Sequence, residues 1–343
     1  MKNEHYISHL FKSYKNFKHK SGFKKRNYFK ERKIAFKKVS KNLNVSYCSL
    51  FFDYLCCLLF LGENWQFYLL NEMYKYKFSE KRKRLTVLRA FNLDYKYNKY
   101  ATDEERERLN NKSNFDKSYQ SFTKREFILP KESKKDEIIN FIKKHQKVFC
   151  KPNRGTEGNS CEILSFEDLT DEKLESLLRS NYLLEEVIEQ HEIVAKLHPN
   201  SINTVRIFSI IDKSGNVHLM HPCLRAGIDG NIVDNVFQGG ILYLVDLETG
   251  KVTSDGIKLG EAKKYEIHPG TDIKMKDFQI PYFKEICDMI VKAALVTKSL
   301  RFVGWDVAVG KNGPILLEGN IAYAATVNGD HGIYKEMKQY LRK

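Results

Sequence analysis

The sequence predicts an α+β protein in which two lobes, each built on its own sheet, face one another behind a helical N-terminal extension. Three observations carry that reading. Residues 1–110 contain no proline and run as long charged stretches punctuated only at Gly22 and Gly62, the pattern of helices. Residues 148–188 read as strand, glycine-containing loop, strand, helix and strand. From residue 204 onward, apolar strands with short connections describe a larger, mostly antiparallel sheet interrupted by one long helix. At 343 residues and 42% hydrophobic composition, the chain has enough apolar material for two or three such lobes.

Taken in order, residues 1–46 form a basic arm and residues 47–110 a helical region. Residues 111–190 hold a linker and the first lobe, and residues 191–343 the second lobe. The stretch from Thr102 to Phe127 is polar and rich in Asn and Ser, which suits a connection. Ser133 to Lys144 follows Pro130 as a helix with Ile138, Ile139 and Ile142 on one face. Val148–Lys151 and Cys161–Leu164 are strands around the loop Pro152–Ser160. Ser165 with Asp168 opens a helix carrying Leu169, Leu174, Leu177 and Leu178, and Tyr182–Ile188 is the next strand. Thr204–Ile211, Val217–Pro222, Gly240–Asp246, Phe302–Val309 and Pro314–Glu318 are the strands of the second lobe, and Asp277–Leu300 is its helix.

The net charge of +15 is local. Residues 1–46 hold fourteen Lys and Arg against Glu4 and Glu31, a net of +12, so the remaining 297 residues carry +3. With its aromatic residues, the arm alone fits a nucleic-acid binding module, whereas the body does not. It also suits an anionic membrane leaflet. Seven cysteines show no CxxC or Cys/His spacing, so they read as reduced thiols rather than a zinc site. The start has no apolar core of a signal peptide. The run Val45–Gly62 is apolar but short and carries Asp53, so a buried or interface helix is expected in place of a membrane span.

Three groups of residues can carry chemistry. Lys151 ends a strand and leads into Arg154, Gly155 and Gly158, where glycines let backbone N–H groups face phosphate oxygens and the lysine adds a point charge. The same residues also describe an ordinary polar hairpin. Tyr182–Glu192 is an apolar strand ending in Glu185, Val187, Ile188 and Glu192. Such a strand can offer its backbone to an adenine edge and carboxylates to an amino group or ribose, or simply end in solvated glutamates. Asp306 lies on one strand, and Glu318 and Asn320 lie two apart on its hairpin partner, so the latter two share a face. Oxygen donors so grouped suit a hard cation such as magnesium that completes its shell with water and phosphate.

In this order and spacing the three groups resemble the ATP-grasp superfamily. Gln190-His191, followed by His198-Pro-Asn-Ser-Ile-Asn-Thr-Val-Arg206, is similar to the sugar-transfer-associated ATP-grasp group of bacterial capsule and exopolysaccharide gene clusters. Arg225-Ala-Gly-Ile-Asp-Gly-Asn-Ile-Val-Asp-Asn235 with Gly239-Gly240, and the Asp306-to-Glu318 interval, are similar to ribosomal-protein glutamate ligases. The resemblance covers about residues 146–325, with a looser match over Phe51–Leu85. It implies an ATP-grasp fold clamping ATP with Mg2+ between its lobes. Lys151 would hold the α- and β-phosphates under a lid of residues 154–161. Glu185 and the backbone near Val187 and Ile188 would meet adenine, with Glu192 near the ribose. Arg206 and Arg225 would stabilise the transferring phosphate, Asn235 would orient the acceptor, and Asp306, Glu318 and Asn320 would ligate magnesium. Two departures stand out: Asn320 runs on as Ile-Ala-Tyr-Ala-Ala without a Pro-Gly turn, and Gln190-His191-Glu192 lacks the usual glycine. His191 and His198 can be acceptor ligands or structural residues.

The expected activity is carboxylate–amine ligation through an acyl-phosphate in a cytoplasmic enzyme, with a sugar or sugar acid and an amine such as an amino acid as substrates. The association with polysaccharide synthesis rests on the family resemblance. A kinase phosphorylating a sugar hydroxyl is the nearest alternative. The basic N-terminus leaves room for peripheral attachment at the inner membrane face or to polysaccharide-synthesis proteins.

Overall fold

The computed structural model describes residues 25–61, 63–76, 97–154, 161–228, 234–321, 337, 339 and 340. Residues 1–24 of the basic arm, Gly22 and Gly62, the end of the 51–85 match and the lid residues 155–160 lie outside the described residues. So do residues 229–233, inside the Arg225–Asn235 segment, and the residues after Ile321 that replace a Pro-Gly turn.

The N-terminal region is helical, with α1 Lys25–Leu43, α2 Tyr47–Leu61 and α3 Trp65–Leu70. They share a core of their own in which Phe36, Leu50, Tyr54, Cys57, Trp65 and Tyr68 are buried. Leu50, Tyr54, Cys57 and the partly buried Leu61 recur at helical spacing, so one stripe of α2 faces inward. Asp53, the charge that disfavoured a membrane span, accepts a hydrogen bond from the Tyr68 hydroxyl at 2.7 Å. No helix among the described residues is long and apolar enough to cross a membrane.

The expected connection at 102–127 is instead three short helices: α4 Asp103–Asn110, α5 Lys112–Ser118 and α6 Gln120–Thr123. Local capping explains them. The Thr102 side chain accepts from Glu105 N while Glu105 accepts from Thr102 N, and Asn111 caps α5. Of the Asn and Ser residues that suggested a loop, Asn111 is a cap, and Asn110, Ser113, Asn114, Ser118 and Ser121 lie within the helices.

The first sheet contains β1 Phe127–Ile128, β2 Lys147–Pro152, β3 Glu162–Ser165 and β4 Tyr182–Glu186 in the order β1-β4-β2-β3, all antiparallel. Two helices, α7 Lys135–His145 and α8 Asp171–Arg179, cover one face through Ile138, Ile142, Leu174 and Leu177 against Val148, Cys150, Leu164 and Leu184. Each such side chain contributes about 1.5–3 kcal/mol by burial. Helix α8 starts later than expected because Thr170, accepting from Lys173 N at 3.1 Å, is its cap, and Phe166–Asp168 form a separate 3-10 turn. Strand alternation then forces Phe149 and Lys151 onto the face away from the helices.

The second sheet contains β5 Thr204–Ile211, β6 Val217–Ala226, β7 Ile241–Leu244, β8 Gly256–Lys258, β9 Lys264–Tyr265, β10 Phe302–Gly310 and β11 Gly313–Asn320. Its order is β11-β10-β5-β6-β7-β8-β9, again all antiparallel. A short α9, Glu192–Ala195, links the lobes, and α10, Phe283–Ala294, covers one face of this sheet. Helix α10 is half the expected length. Residues 278 and 279 pair with 251 and 252 at the sheet edge, and Pro281 precedes a left-handed Tyr282 at the helix start. Val205, Ile207, Val303, Trp305 and Val307 pack beneath α10, so the intervening Thr204, Arg206 and Asp306 point to the opposite face.

Candidate active site

The strand register assembles the site. Asp306 pairs with Arg206 on one side and Glu318 on the other, and Thr204 pairs with Arg225. These residues therefore form a polar row across β6, β5, β10 and β11 on the face that α10 leaves uncovered. Arg206 donates to both carboxylate oxygens of Asp306, from Nε to Oδ1 and from Nη2 to Oδ2 at 2.7 Å. Arg225 Nη2 reaches the same Oδ2 at 2.9 Å and donates to Thr204 Oγ1 at 2.7 Å. Burial alone would raise the pKa of Asp306, but the two guanidiniums outweigh it and hold the carboxyl far below the usual range. Glu318 goes the other way: burial and then the charge of Asp306 raise its pKa. Asn320 Nδ2 donates to Glu318 Oε1 at 3.1 Å, so the three residues named for magnesium do converge.

Asp306, Glu318 and Asn320 supply two buried carboxyls and an amide, and no group of three or more His, Cys, Asp or Glu among the described residues could make a cage without outside ligands. That donor set fits magnesium, which is held by one or two carboxylates plus water and phosphate oxygens. Asp306 is already engaged by two arginines, so Glu318 and Asn320 have the larger capacity remaining, with Asp306 Oδ1 still able to take part.

The first sheet contributes a second network. Lys151 is 9% exposed, and its Nζ lies 2.7 Å from Glu185 Oε2. Arg125 lies 3.1 Å from Glu185 and 3.0 Å from Asp116, and its Nη2 also donates to Leu317 O on β11, tying the two lobes. Burial opposes ionisation of Glu185, yet Arg125 and Lys151 win and bring its pKa to about 2. Asp116 is pushed up to about 7 by burial and then by Glu185. The buried pair therefore divides into an ionised Glu185 and a readily protonated Asp116.

The Glu185 carboxylate, expected to meet the adenine, stands between Lys151 and Arg125 and pairs with both. Asn235, expected to orient the acceptor, makes a local contact. Its side chain accepts from Phe237 N at 2.9 Å and caps a 3-10 turn, while the neighbouring Asp234 reaches Arg225 at 3.5 Å and accepts from the Thr204 hydroxyl. Gly240 makes that turn possible, since a Cβ there would meet Asp234 O at 2.2 Å. Arg154 pairs with Glu107 at 2.6 Å on α4 and is exposed, and Gly155 and Gly158 lie outside the described residues. Val187 and Ile188 are half-buried in the connection that Gln190 clamps to Gly310 at the β10–β11 turn. Glu192 is exposed at the first turn of α9, outside these networks. His191 caps α9, and His198 is buried against Ser201 at 2.9 Å, so both make structural contacts. All seven cysteines are free thiols.

Sequence reasoning missed Lys112, Asp116, Arg125, Thr204 and Asp234. Lys112 opens α5, where its backbone N donates to Asn153 O at 3.0 Å, one turn beyond Lys151. Burial and then Lys151 lower its pKa, while Glu318, Cys161 and Glu185 act against them. Lys112 thus lies within electrostatic range of both Lys151 and the Glu318 carboxyl of the other lobe. For Lys112, Asp116 and Arg125 the only sequence signal was their charge in a stretch that read as linker, whereas Thr204 and Asp234 lie inside the 198–206 and 225–235 segments.

Comparison with known proteins places this geometry. The model of the sugar-transfer associated ATP-grasp family matches residues 90–340, reaching further upstream than residue 146 and taking in Lys112, Asp116 and Arg125. A search of curated proteins finds no match. Similar solved structures include the ATP-grasp ligase PsnB complexed with a phosphomimetic variant of minimal precursor, Mg and ADP. It is 14% identical over 79% of this chain and 70% of that chain, with a TM-score of 0.43. D-alanyl-alanine synthetase A from Vibrio cholerae is 12% identical over 69% of this chain and 64% of that chain, with a TM-score of 0.42. The ADP complex of purK, an N5-carboxyaminoimidazole ribonucleotide synthetase, is 9% identical over 68% and 52%, with a TM-score of 0.41. The family match spans most of the chain and every residue of both networks: the protein belongs to the sugar-transfer associated ATP-grasp family.

Proposed function

We propose that the protein is an ATP- and magnesium-dependent carboxylate–amine ligase acting on a sugar or sugar acid in capsule or exopolysaccharide synthesis, with an amine such as an amino acid as second substrate. The observation that carries the anion site is Arg206 Nη1, a buried donor with no hydrogen-bond partner in the structure. A buried unpaired guanidinium N–H is costly, and a phosphate oxygen would satisfy it. Arg225 shares Asp306 with Arg206, Glu318 pairs with Asp306 in strand register and carries Asn320 beside it, and Lys112 lies within electrostatic range of Glu318.

In this reading Lys151, held by Glu185, and Lys112 bind the inner phosphates of ATP. Arg206 and Arg225 face the γ-phosphate, where charge develops during transfer. A substrate carboxylate oxygen attacks the γ-phosphorus, the bond to the bridging oxygen breaks and ADP leaves. The amine nitrogen then attacks the acyl-phosphate carbon, an amide forms, and inorganic phosphate departs as the nitrogen loses a proton. Magnesium, held by Glu318 and Asn320 with Asp306, would neutralise the phosphate oxygens. No side chain of the protein needs to become covalently attached. The sugar chemistry rests on family membership, since the fold alone does not specify it.

Thermal unfolding with and without magnesium-ATP tests the reading in the wild type and in Glu318→Gln. Nucleotide at ~100 times its dissociation constant adds about 2.7 kcal/mol. A magnesium-dependent upward shift that Glu318→Gln loses is expected, and ADP release that requires both a sugar acid and an amine then separates ligase from kinase. No shift in the wild type at saturating nucleotide would sink the proposal.

A further inference from the structure

We infer that the outer face of the α1–α2 helix pair is a docking surface for an anionic lipid bilayer, which the protein meets side-on without crossing it. The inward stripe of α2 is buried, but the opposite stripe is not polar. Phe52 is 69% exposed, Leu59 72% and Phe60 68%. They recur at i, i+7 and i+8, with the half-buried Cys56 between them, so they lie on one side of the helix. Three large apolar side chains exposed on a single helix form a patch, unlike scattered surface hydrophobics. Helix α2 carries no Lys or Arg, and its single acid, Asp53, is bonded to Tyr68.

Charge selects the occupant. The neighbouring α1 contains eight Lys and Arg against the single Glu31. Lys30, Lys33, Lys37 and Lys41 fall at i, i+3, i+7 and i+11 and are exposed, so they form a continuous basic stripe. Ile34, 56% exposed, lies beside it. The helices are joined by edge-on and tilted ring contacts of Phe36 with Phe51 and Tyr54, and Arg32 lies over the rings of Phe29 and Phe51. An apolar stripe on α2 and a lysine stripe on α1, each on the side of its helix away from the shared core, match acyl chains beneath anionic headgroups. Pairing with a second copy would set one lysine stripe against another, which electrostatics disfavours.

The helix pair is also fixed to the catalytic body. Lys38 pairs with Glu261 at 2.6 Å, Lys264 pairs with Glu72 at 2.9 Å, and Gly260 packs so closely on Ala35 that an added Cβ would lie 3.1 Å away. Docking would therefore hold the second sheet in a set orientation to the lipid surface.

Flotation of the full-length protein with phosphatidylcholine vesicles and with equimolar phosphatidylglycerol–phosphatidylcholine vesicles tests this. The wild type should float with the anionic vesicles, less so as salt rises, and remain in solution with the neutral ones. Lys30→Gln, Lys33→Gln, Lys37→Gln and Lys41→Gln together should lower partitioning by on the order of 1,000-fold, at about 1 kcal/mol for each lysine near the surface. Phe52→Ser, Leu59→Ser and Phe60→Ser together should abolish flotation while leaving unfolding temperature and the magnesium-ATP shift unchanged. Equal flotation with both vesicle types, flotation unaffected by the apolar triple variant, or a dimer in light scattering that this variant dissolves would overturn the assignment. Because the nucleotide shift is read separately, loss of the lipid surface and loss of the ligase reading are distinguishable.

Discussion

Replacing Arg125 by Met probes the network that joins the two lobes. The guanidinium sits between Asp116 at 3.0 Å and Glu185 at 3.1 Å, and all three residues are buried. Removing one partner of a buried ion pair leaves an uncompensated charge and costs about 3–5 kcal/mol. The cost should depend on pH because the two carboxyls titrate apart. Asp116 has its folded pKa raised from 3.8 to about 7, so the stability it contributes is complete below its unfolded value and is lost as pH rises through the folded one. Glu185, lowered to about 2, contributes stability that is present above its unfolded 4.5 and lost as pH falls toward 2. At pH 5 Asp116 carries a proton in both proteins, so Arg125→Met gives up only its interaction with Glu185, worth about 1.5–3 kcal/mol. At pH 8 wild-type Asp116 is ionised and paired, and the full 3–5 kcal/mol applies. Urea denaturation followed by circular dichroism at the two pH values, with unchanged m, measures the difference. Adding Asp116→Leu to the variant should recover much of the loss at pH 8. Equal losses at both pH values, or a loss below about 1 kcal/mol at pH 8, would refute the charge assignment.

Further outcomes follow from particular contacts. Lys112→Met should weaken nucleotide binding about 10–100-fold, the value of one charge-assisted hydrogen bond, with little change in the unfolding temperature of the free protein; calorimetric titration with magnesium-ATP measures it. Gly304→Ala should destabilise by about 1–3 kcal/mol, because its Cβ would lie 2.8 Å from Phe208, which is buried and stacked on Phe302; the urea midpoint reports it. Tyr243→Phe should cost about 1–2 kcal/mol by leaving His268 Nδ1 without the hydroxyl now 2.7 Å away, read in the same assay.

Much of the fold was legible because periodicity is a local property. Thr204–Ile211 was bounded correctly from its apolar run, and its alternation placed Arg206 away from the helix-covered face. The Asp306, Glu318 and Asn320 convergence was legible because a hairpin fixes its own register. Capping was legible in principle at Thr102 and Thr170, but polar residues at caps and in loops look alike until the helices that they start are known. What only the tertiary structure decided were pairings between residues far apart in sequence. Glu185 comes to pair with Lys151 and Arg125 because β4 lies beside β2 and Arg125 closes on it from a stretch that read as linker. Asp234 faces Arg225, while the Asn235 side chain next to it caps a turn. The stripe exposed on α2 could not be told from the buried one in a helix apolar all round, since which side meets the core depends on what packs against it. Sequence sets which groups are available within one element; long-range packing decides which of them are neutralised, buried or left facing a ligand.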